Sequence, residues 1–499
     1  MRAAVLTRFG APLTVRELPD PEAGGGEVVV EVLATCVPPY AGEVFGGERN
    51  YPLVPPVVPG VGGVGRIVHV GPDATRLRAG DLVWCDCTVR SRDDALTPDI
   101  TLQGWSSRGE GGARLARYLH DGSFAERMRV PTENVFPLPA AAGEDPARWA
   151  ALSVHTIPYG GLLAGGLAAG ETLLVSGATG NLGSSAVAVA LAMGAGRVVA
   201  PGRNRAALDL LADRFGPRVR PVPLTGDEDT DRAAMSAAGG GPIDMVIDLL
   251  PPSAPSSAVR VAAMTVREYG RVVLMGGVGM LGGDDLALPY PWIMRNSVTV
   301  RGQWMYPRTA NVGIIRLLAS GALDLAPERV RTFGLDAVND AVAYAASHGG
   351  PFDRATLVPG ATVRPRAGDP DRREHTGPSP PARRAVGSHE RADGEIALRL
   401  HPSTRRPAQR DDLGAVVRVS DRGCLSRRHH TAERLAGRYD RAEAHLLAAR
   451  FVDDDTWRVV PILIRVNVRR VAFGPAGGAG RICMEFPIIG NSMYCGRRG

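Results

Sequence analysis

The stretch with the clearest chemical meaning is Leu173-Leu174-Val175-Ser176-Gly177-Ala178-Thr179-Gly180-Asn181-Leu182-Gly183, an apolar run that passes into a glycine-rich turn and then an alanine-rich segment. Glycine lets the backbone turn tightly and come close to a bound anion. Free N–H groups at a helix start, aided by the positive end of its dipole, stabilise a pyrophosphate. Residues Gly177 to Gly183 are therefore a candidate dinucleotide site, with Gly180 and Gly183 as the closest contacts. Ala178 stands where the first glycine of the usual fingerprint falls, leaving Gly177 and Gly180 to supply the flexibility. A tight strand-to-helix turn with no ligand would use the same residues.

Past Gly183, at the end of the next apolar run, comes Pro201-Gly202-Arg203-Asn204-Arg205. An NAD-preferring site places Asp or Glu there for the ribose hydroxyls, and this segment has neither. Arg203 or Arg205, on either side of Asn204, would instead pair with a 2′-phosphate through charge-assisted hydrogen bonds, which favours NADP(H). The plainer alternative is a solvated charge at a helix start.

A sheet must carry these residues. The pattern alternates as strand 172–176, helix 182–194, strand 197–201, helix 205–215, strand 243–249, helix 256–268 and strand 271–276, the order of a parallel sheet covered by helices. Residues 151–304 are thus expected to form a Rossmann-fold doubly wound parallel sheet. Upstream, short β-rich runs such as 27–33 and 65–70 between Gly and Pro turns predict a small β-barrel, and 147–164 has a helical pattern, so a domain boundary falls near residue 150. A strand at 298–305, a helix near 310–320 and a last strand at 352–358 follow. The segment 305–362 is expected to complete the first domain. The fold class is α/β.

At 499 residues the chain has room for at least two cores. Its 44% hydrophobic and 22% charged residues match an ordinary globular mix rather than a membrane or disordered protein. No apolar run reaches spanning length and the start lacks a signal-peptide core, so a cytoplasmic location with no membrane partner is the expectation. Residues 363–499 hold 26 Arg against 16 Asp or Glu, a balance of +10, while residues 1–362 hold 32 against 36, or −4. The positive charge therefore belongs to the tail, and nucleic-acid binding by the core is not expected. Residues 364–412 are Arg- and Pro-rich and expected to be disordered, and the extension 363–499 as a whole is a disordered extension, a basic arm for acidic partners, or a stretch read out of frame past the end of the core. Residues 456–473 alternate enough for a strand pair. The cysteines, Cys36, Cys85, Cys87, Cys424, Cys483 and Cys495, lack paired metal spacing and read as reduced thiols.

Over residues 1 to about 362 the chain resembles the medium-chain dehydrogenase/reductase superfamily. The resemblance is carried by Met1-Arg2-Ala3-Ala4-Val5, by Val70-Gly71-Pro72 followed by Ala79-Gly80-Asp81-Leu82-Val83, by Gly122-Ser123-Phe124-Ala125-Glu126, and by the glycine loop. It implies a GroES-like catalytic domain for the barrel. Zinc-dependent members use a Cys in an early loop, a Gly-His-Glu turn and a Cys or His near the domain junction. Here Cys36 takes the first place, but the turn reads Gly60-Val61-Gly62 and Ser153 takes the third place, with His155 close enough to leave that alignment open. The structural zinc would need four close cysteines, and Cys85 and Cys87 alone are present. The chain thus resembles the zinc-independent quinone oxidoreductase branch, with no metal expected.

That resemblance implies hydride transfer from NADPH to a quinone, enone or similar small carbonyl acceptor. It places Leu249 and Leu250 on the ribose side, Gly276, Gly277 and Val278 with Gln303 and Trp304 around the nicotinamide, and Cys36, Tyr40, Ser153, Trp304 and Tyr306 around the acceptor. With no zinc, a hydrogen-bond donor must stabilise developing negative charge, and Tyr40, in the loop after Cys36, is the candidate catalytic residue. A tyrosine packed under that loop is the alternative. His155 is either a proton donor or a satisfied buried histidine, and Asp244 and Asp248 read as structural. An alcohol or aldehyde dehydrogenase-type reductase and a non-catalytic NADP-binding sensor remain alternatives. A homo-oligomer paired through sheet edges is what relatives suggest.

Overall fold

The structure is a computed structural model that describes residues 1–94 and 96–360, together with four short strand segments of the tail. The chain divides into two compact units, Met1–Asp371 and Arg372–Gly499. In the second unit the strands Leu446–Asp453 and Thr456–Ile462 pair antiparallel, as do Pro487–Ile488 and Asn491–Ser492. Of the expected pair at 456–473, Thr456–Ile462 is a strand whose partner precedes residue 456, and residues 463–473 lie outside the described residues. The expectation of disorder over 364–412 lies outside the described residues.

In the first unit, Glu27–Val37 is the axis of a seven-stranded sheet. Gly63–Val70 and Arg127–Pro131 pair antiparallel with it, and Leu82–Cys85 and Val135–Pro137 extend the sheet on one side. Val28, Val29, Val30 and Val32 are all buried, because the curved sheet closes over both faces of this strand. Near the other end of the unit, Asp353–Leu357 pairs antiparallel with the same strand, placing Thr356 opposite Cys36, and Arg329–Phe333 lies outside it. Two segments some 320 residues apart thus build one wall.

The second sheet has six parallel strands in the order Val219–Pro223, Arg197–Gly202, Thr172–Ser176, Ile243–Asp248, Val266–Leu274, Thr299–Gly302. This is a doubly wound arrangement whose strand order reverses beside Thr172–Ser176, the position at which such sheets open a crevice for ligands. Leu173, Leu174 and Val175 are completely buried, and the alanines of Asn181–Ala192 let that helix lie close on the strand.

Several boundaries differ from the sequence pattern. The strand Val219–Pro223 and the helix Glu228–Gly239 carry too few apolar residues to announce themselves. Two prolines sit on what is an edge strand, and the helix is held by the Asp227 carboxylate, which accepts from the Thr230 N–H at 2.8 Å. The helix expected over 256–268 stops at Ala263, and the next strand runs Val266–Leu274, so Met275 to Gly277 leave the sheet. The expected helix 147–164 is two helices, Pro146–Trp149 and Leu152–Ala164.

Candidate active site

At the carboxyl ends of these strands the two sheets face a cavity of about 1290 Å³. Gly177 leaves its strand with φ +87°, a left-handed conformation that favours glycine, and the helix Asn181–Ala192 begins with Gly180 as its N-cap and no side-chain cap. Thr179, Gly180, Asn181, Leu182 and Gly183 line the cavity, so the uncapped helix start is offered to whatever binds there. Ala178 corrects the sequence expectation: its methyl is fully buried in the core beneath the loop and does not line the cavity.

Gly202 ends the next strand with space for Thr179, since a Cβ at 202 would fall 2.4 Å from the Thr179 methyl carbon. Arg203 and Asn204 line the cavity, and the Asn204 side chain caps the following helix by accepting from Ala207 N–H at 3.2 Å. Arg205 does not line it. Both arginines are exposed, and as the first residue of that helix Arg205 is carried off the cavity wall on which Arg203 stays.

Across the loop, Leu249, Leu250, Met275, Gly276 and Gly277 form the opposite wall, while Val278 does not reach it. The chain turns away after Gly277, whose position is fixed by its N–H donating to the Leu250 carbonyl at 2.8 Å. Beneath this wall lies Asp248, 3% exposed, whose carboxyl is pushed up to about 6 by burial, against the hydrogen bonds of Ser176, Leu250 and Gly276. Asp244 accepts from Thr172 N–H and pairs with Arg267, a structural arrangement.

The barrel supplies the other half. Cys36, Val61 and Ser153 all line the cavity, although they come from a strand, a glycine turn and a junction helix. Burial pushes the Cys36 thiol up, offset in part by Arg354 and by hydrogen bonds from Ser153 and Thr356. Tyr40 lines the same end. Its ring meets Trp105 edge-on at 5.9 Å and carries the Arg49 guanidinium 4.5 Å above it, and burial holds the phenol well above its ordinary value, as a proton donor. Gln303, Trp304 and Met305 complete the wall, with Met305 in a left-handed conformation at φ +57°.

Tyr306, expected at the acceptor, is instead buried at 3% exposure, and its hydroxyl donates to the Asp86 carboxylate at 2.8 Å. Asn311 donates to the other Asp86 oxygen at 2.8 Å and accepts from the Trp84 indole at 3.0 Å. A buried carboxylate requires such donors, and meeting that need draws Tyr306 away from the cavity.

His155 is likewise turned from the cavity. Its Nε2 lies 2.9 Å from Glu328, which also pairs with Arg354 at 2.9 Å, all three being at least 96% buried. Burial raises the Glu328 carboxyl, but Arg354, followed by His155, brings it below the usual range. Arg354 itself lines the cavity and was not singled out by sequence reasoning; an arginine within the short last strand was the available signal. Trp105 and Arg49 were missed because nothing local marks them.

Residues 24–140 match the family model for the alcohol dehydrogenase GroES-like domain, and residues 182–320 that for the zinc-binding dehydrogenase. An alcohol dehydrogenase of Rhizobium meliloti (strain 1021) is 30% identical over 317 residues, covering 60% of this chain and 83% of that protein. The chain belongs to the medium-chain dehydrogenase/reductase superfamily. Within that superfamily it has the zinc-type alcohol dehydrogenase-like architecture, and it is an NAD(P)-dependent oxidoreductase. An acryloyl-coenzyme A reductase of Metallosphaera sedula is 28% identical over 330 residues, 65% of this chain and 90% of that protein. The solved alcohol dehydrogenase of Thermus sp. ATN1 shares the fold with a TM-score of 0.60 at 22% identity, covering 72% of this chain and 99% of that one. Among the described residues no group of three or more His, Cys, Asp or Glu is placed to hold a metal ion, and no helix is long and apolar enough to cross a membrane.

Proposed function

We propose that the protein is an NADPH-dependent reductase that delivers hydride to a quinone, an enone or a similar activated carbonyl acceptor without a catalytic zinc ion. The observation that carries this is the donor set at the acceptor end: Cys36, Val61 and Ser153 offer one thiol, one hydrocarbon and one hydroxyl. Such a set does not fit zinc, which takes three nitrogen, sulfur or carboxylate ligands in catalytic sites. A carboxylate cannot be restored at the neighbouring position either, because a Cβ at Gly62 would lie 2.2 Å from the Cys85 carbonyl oxygen.

NADPH, when bound, supplies the hydride from its nicotinamide. Gly177 and the uncapped start of the helix Asn181–Ala192 would hold the pyrophosphate, Arg203 the 2′-phosphate, and Gly276, Gly277 and Gln303 the nicotinamide end. Tyr40, kept protonated by burial, donates a hydrogen bond to the acceptor oxygen as charge develops on it. A quinone or enone takes hydride readily, so one neutral donor suffices.

The second reading, an alcohol or aldehyde dehydrogenase-type reductase, is favoured by the names of the relatives, several of which are alcohol dehydrogenases. Simple carbonyls need strong polarisation of the oxygen, which separates the two. The test is turnover on chelator-treated protein, with NADPH and NADH titrated separately and a quinone, an enone and an aliphatic aldehyde offered in turn. NADPH-dependent turnover of quinone or enone in chelator supports the proposal. Aldehyde turnover that chelator abolishes supports the second reading, and tight NADPH binding with no turnover leaves a sensor. We extend the proposal to assembly as a homo-oligomer, because the strand Thr299–Gly302 forms an open sheet edge exposed along its whole length.

A further inference from the structure

The acceptor end of the cavity holds two arginines that the chemistry above does not use. Arg49, with its side chain only 10% exposed, spends its Nε on Glu43 at 2.6 Å and lays one guanidinium face on Tyr40. Apart from the Tyr51 hydroxyl, its terminal amino groups meet no other acceptor among the described residues. Arg108 stands exposed, its guanidinium 5.7 Å from the Trp304 ring, donating to the Pro98 carbonyl at 3.0 Å. No carboxylate among the described residues lies within ion-pair distance of it, whereas the nearby Arg90 and Arg308 are offset by Asp86 and Glu133.

We propose that the hydride acceptor carries a carboxylate, gripped by Arg49 and Arg108 while its reducible carbonyl lies toward Tyr40. This rests on the reading of the cavity as a hydride-acceptor site. Arg49 lies on the Tyr40 ring and Arg108 is tied to the Pro98 carbonyl beside Trp304, so both are oriented before the ligand arrives and less side-chain entropy is lost on binding. With Glu43 counted against them, the charged side chains at this end sum to a single positive charge, which suits a monoanion. A phosphate monoester, carrying about −1.5 to −2, would leave excess negative charge in a partly desolvated site. The aromatic walls of Tyr40, Trp105 and Trp304 cover the flat conjugated part of such a molecule.

The experiment is calorimetric binding of β-acetylacrylate and of its methyl ester to the full chain saturated with NADP+, with NADPH oxidation by each followed separately. The acid is expected to bind at least about tenfold tighter than the ester, with the ratio shrinking as salt rises. Arg108→Gln and Arg49→Gln each bring the ratio toward one, and Arg108→Lys retains part of it. The Arg108 variant keeps the test valid if loss of the Arg49–Glu43 pair perturbs the turn. Equal affinity for acid and ester, or a ratio that both glutamine variants leave unchanged, overturns the proposal. Preferential acid binding with no turnover of either compound sinks the reductase reading and leaves Arg49 and Arg108 as a carboxylate-binding site alone; equal binding with turnover keeps the reductase and overturns the carboxylate grip.

Discussion

Gly183, in the first turn of its helix, packs so closely on Gly177 that a Cβ at 183 would lie 1.9 Å from the Gly177 carbonyl oxygen. Backbone cannot yield as the end of a flexible side chain can, so Gly183→Ala must push the helix start away from the strand. Displacement of about 1 Å is enough to cost about a hundredfold in turnover. Stopped-flow rates and NADPH fluorescence titration should both show the loss, with far-ultraviolet circular dichroism unchanged.

Arg203, not Arg205, lines the cavity, and this separates two otherwise similar variants. A charge-assisted hydrogen bond is worth about 1.5–3 kcal/mol. Arg203→Gln is therefore expected to weaken NADPH binding by about ten- to a hundredfold while NADH binding changes little. Arg205→Gln should do neither, and equal effects of the two would remove the assigned role.

Asp248 makes stability pH-dependent. Its folded value, about 6, lies above the ordinary 3.8, so its favourable contribution is fully present below about pH 3.8 and is lost as pH rises through 6. At neutral pH the fold carries a buried carboxylate at a cost of about 3 kcal/mol. Relative to Asp248→Asn, the parent protein should lose roughly that much between pH 4 and pH 7 in urea denaturation. A pH-independent difference would mean that the carboxyl is ionised throughout.

Tyr40→Phe removes a donor and leaves the ring that Arg49 and Trp105 pack against. Loss of a single oxyanion donor costs about 100- to 1000-fold in kcat. The expected result is such a drop for an enone, a smaller one for a quinone, and unchanged NADPH affinity. If kcat for the enone stays within a factor of about two, Tyr40 is packing alone.

Val300 lies in the open edge strand, with Met294 and Tyr290 exposed on the preceding helix. Lysine on an edge strand opposes strand pairing. Sedimentation should show an oligomer for the parent chain and a shift to monomer for Val300→Lys; a monomeric parent would end the proposal of edge pairing.

Local sequence determined the dinucleotide half of this protein. A strand, a glycine turn and a helix in direct succession from Leu173 to Gly183 are made of neighbours, and the absence of a carboxylate near Arg203 is likewise a local fact. Tertiary structure decided the acceptor half, because its residues come from segments tens to hundreds of positions apart. Which of Ser153 and His155 faces Cys36 depended on a buried Glu328 and Arg354 that claim the histidine, and Tyr306 left the cavity because Asp86 needed its hydroxyl. Arg49, Trp105 and Arg354 reach the site only through loop and strand packing, and no spacing in the chain encodes that. Helix starts and glycine turns follow from short-range sterics and hydrogen bonding, whereas the facing of a side chain is settled by whichever buried partner most needs it.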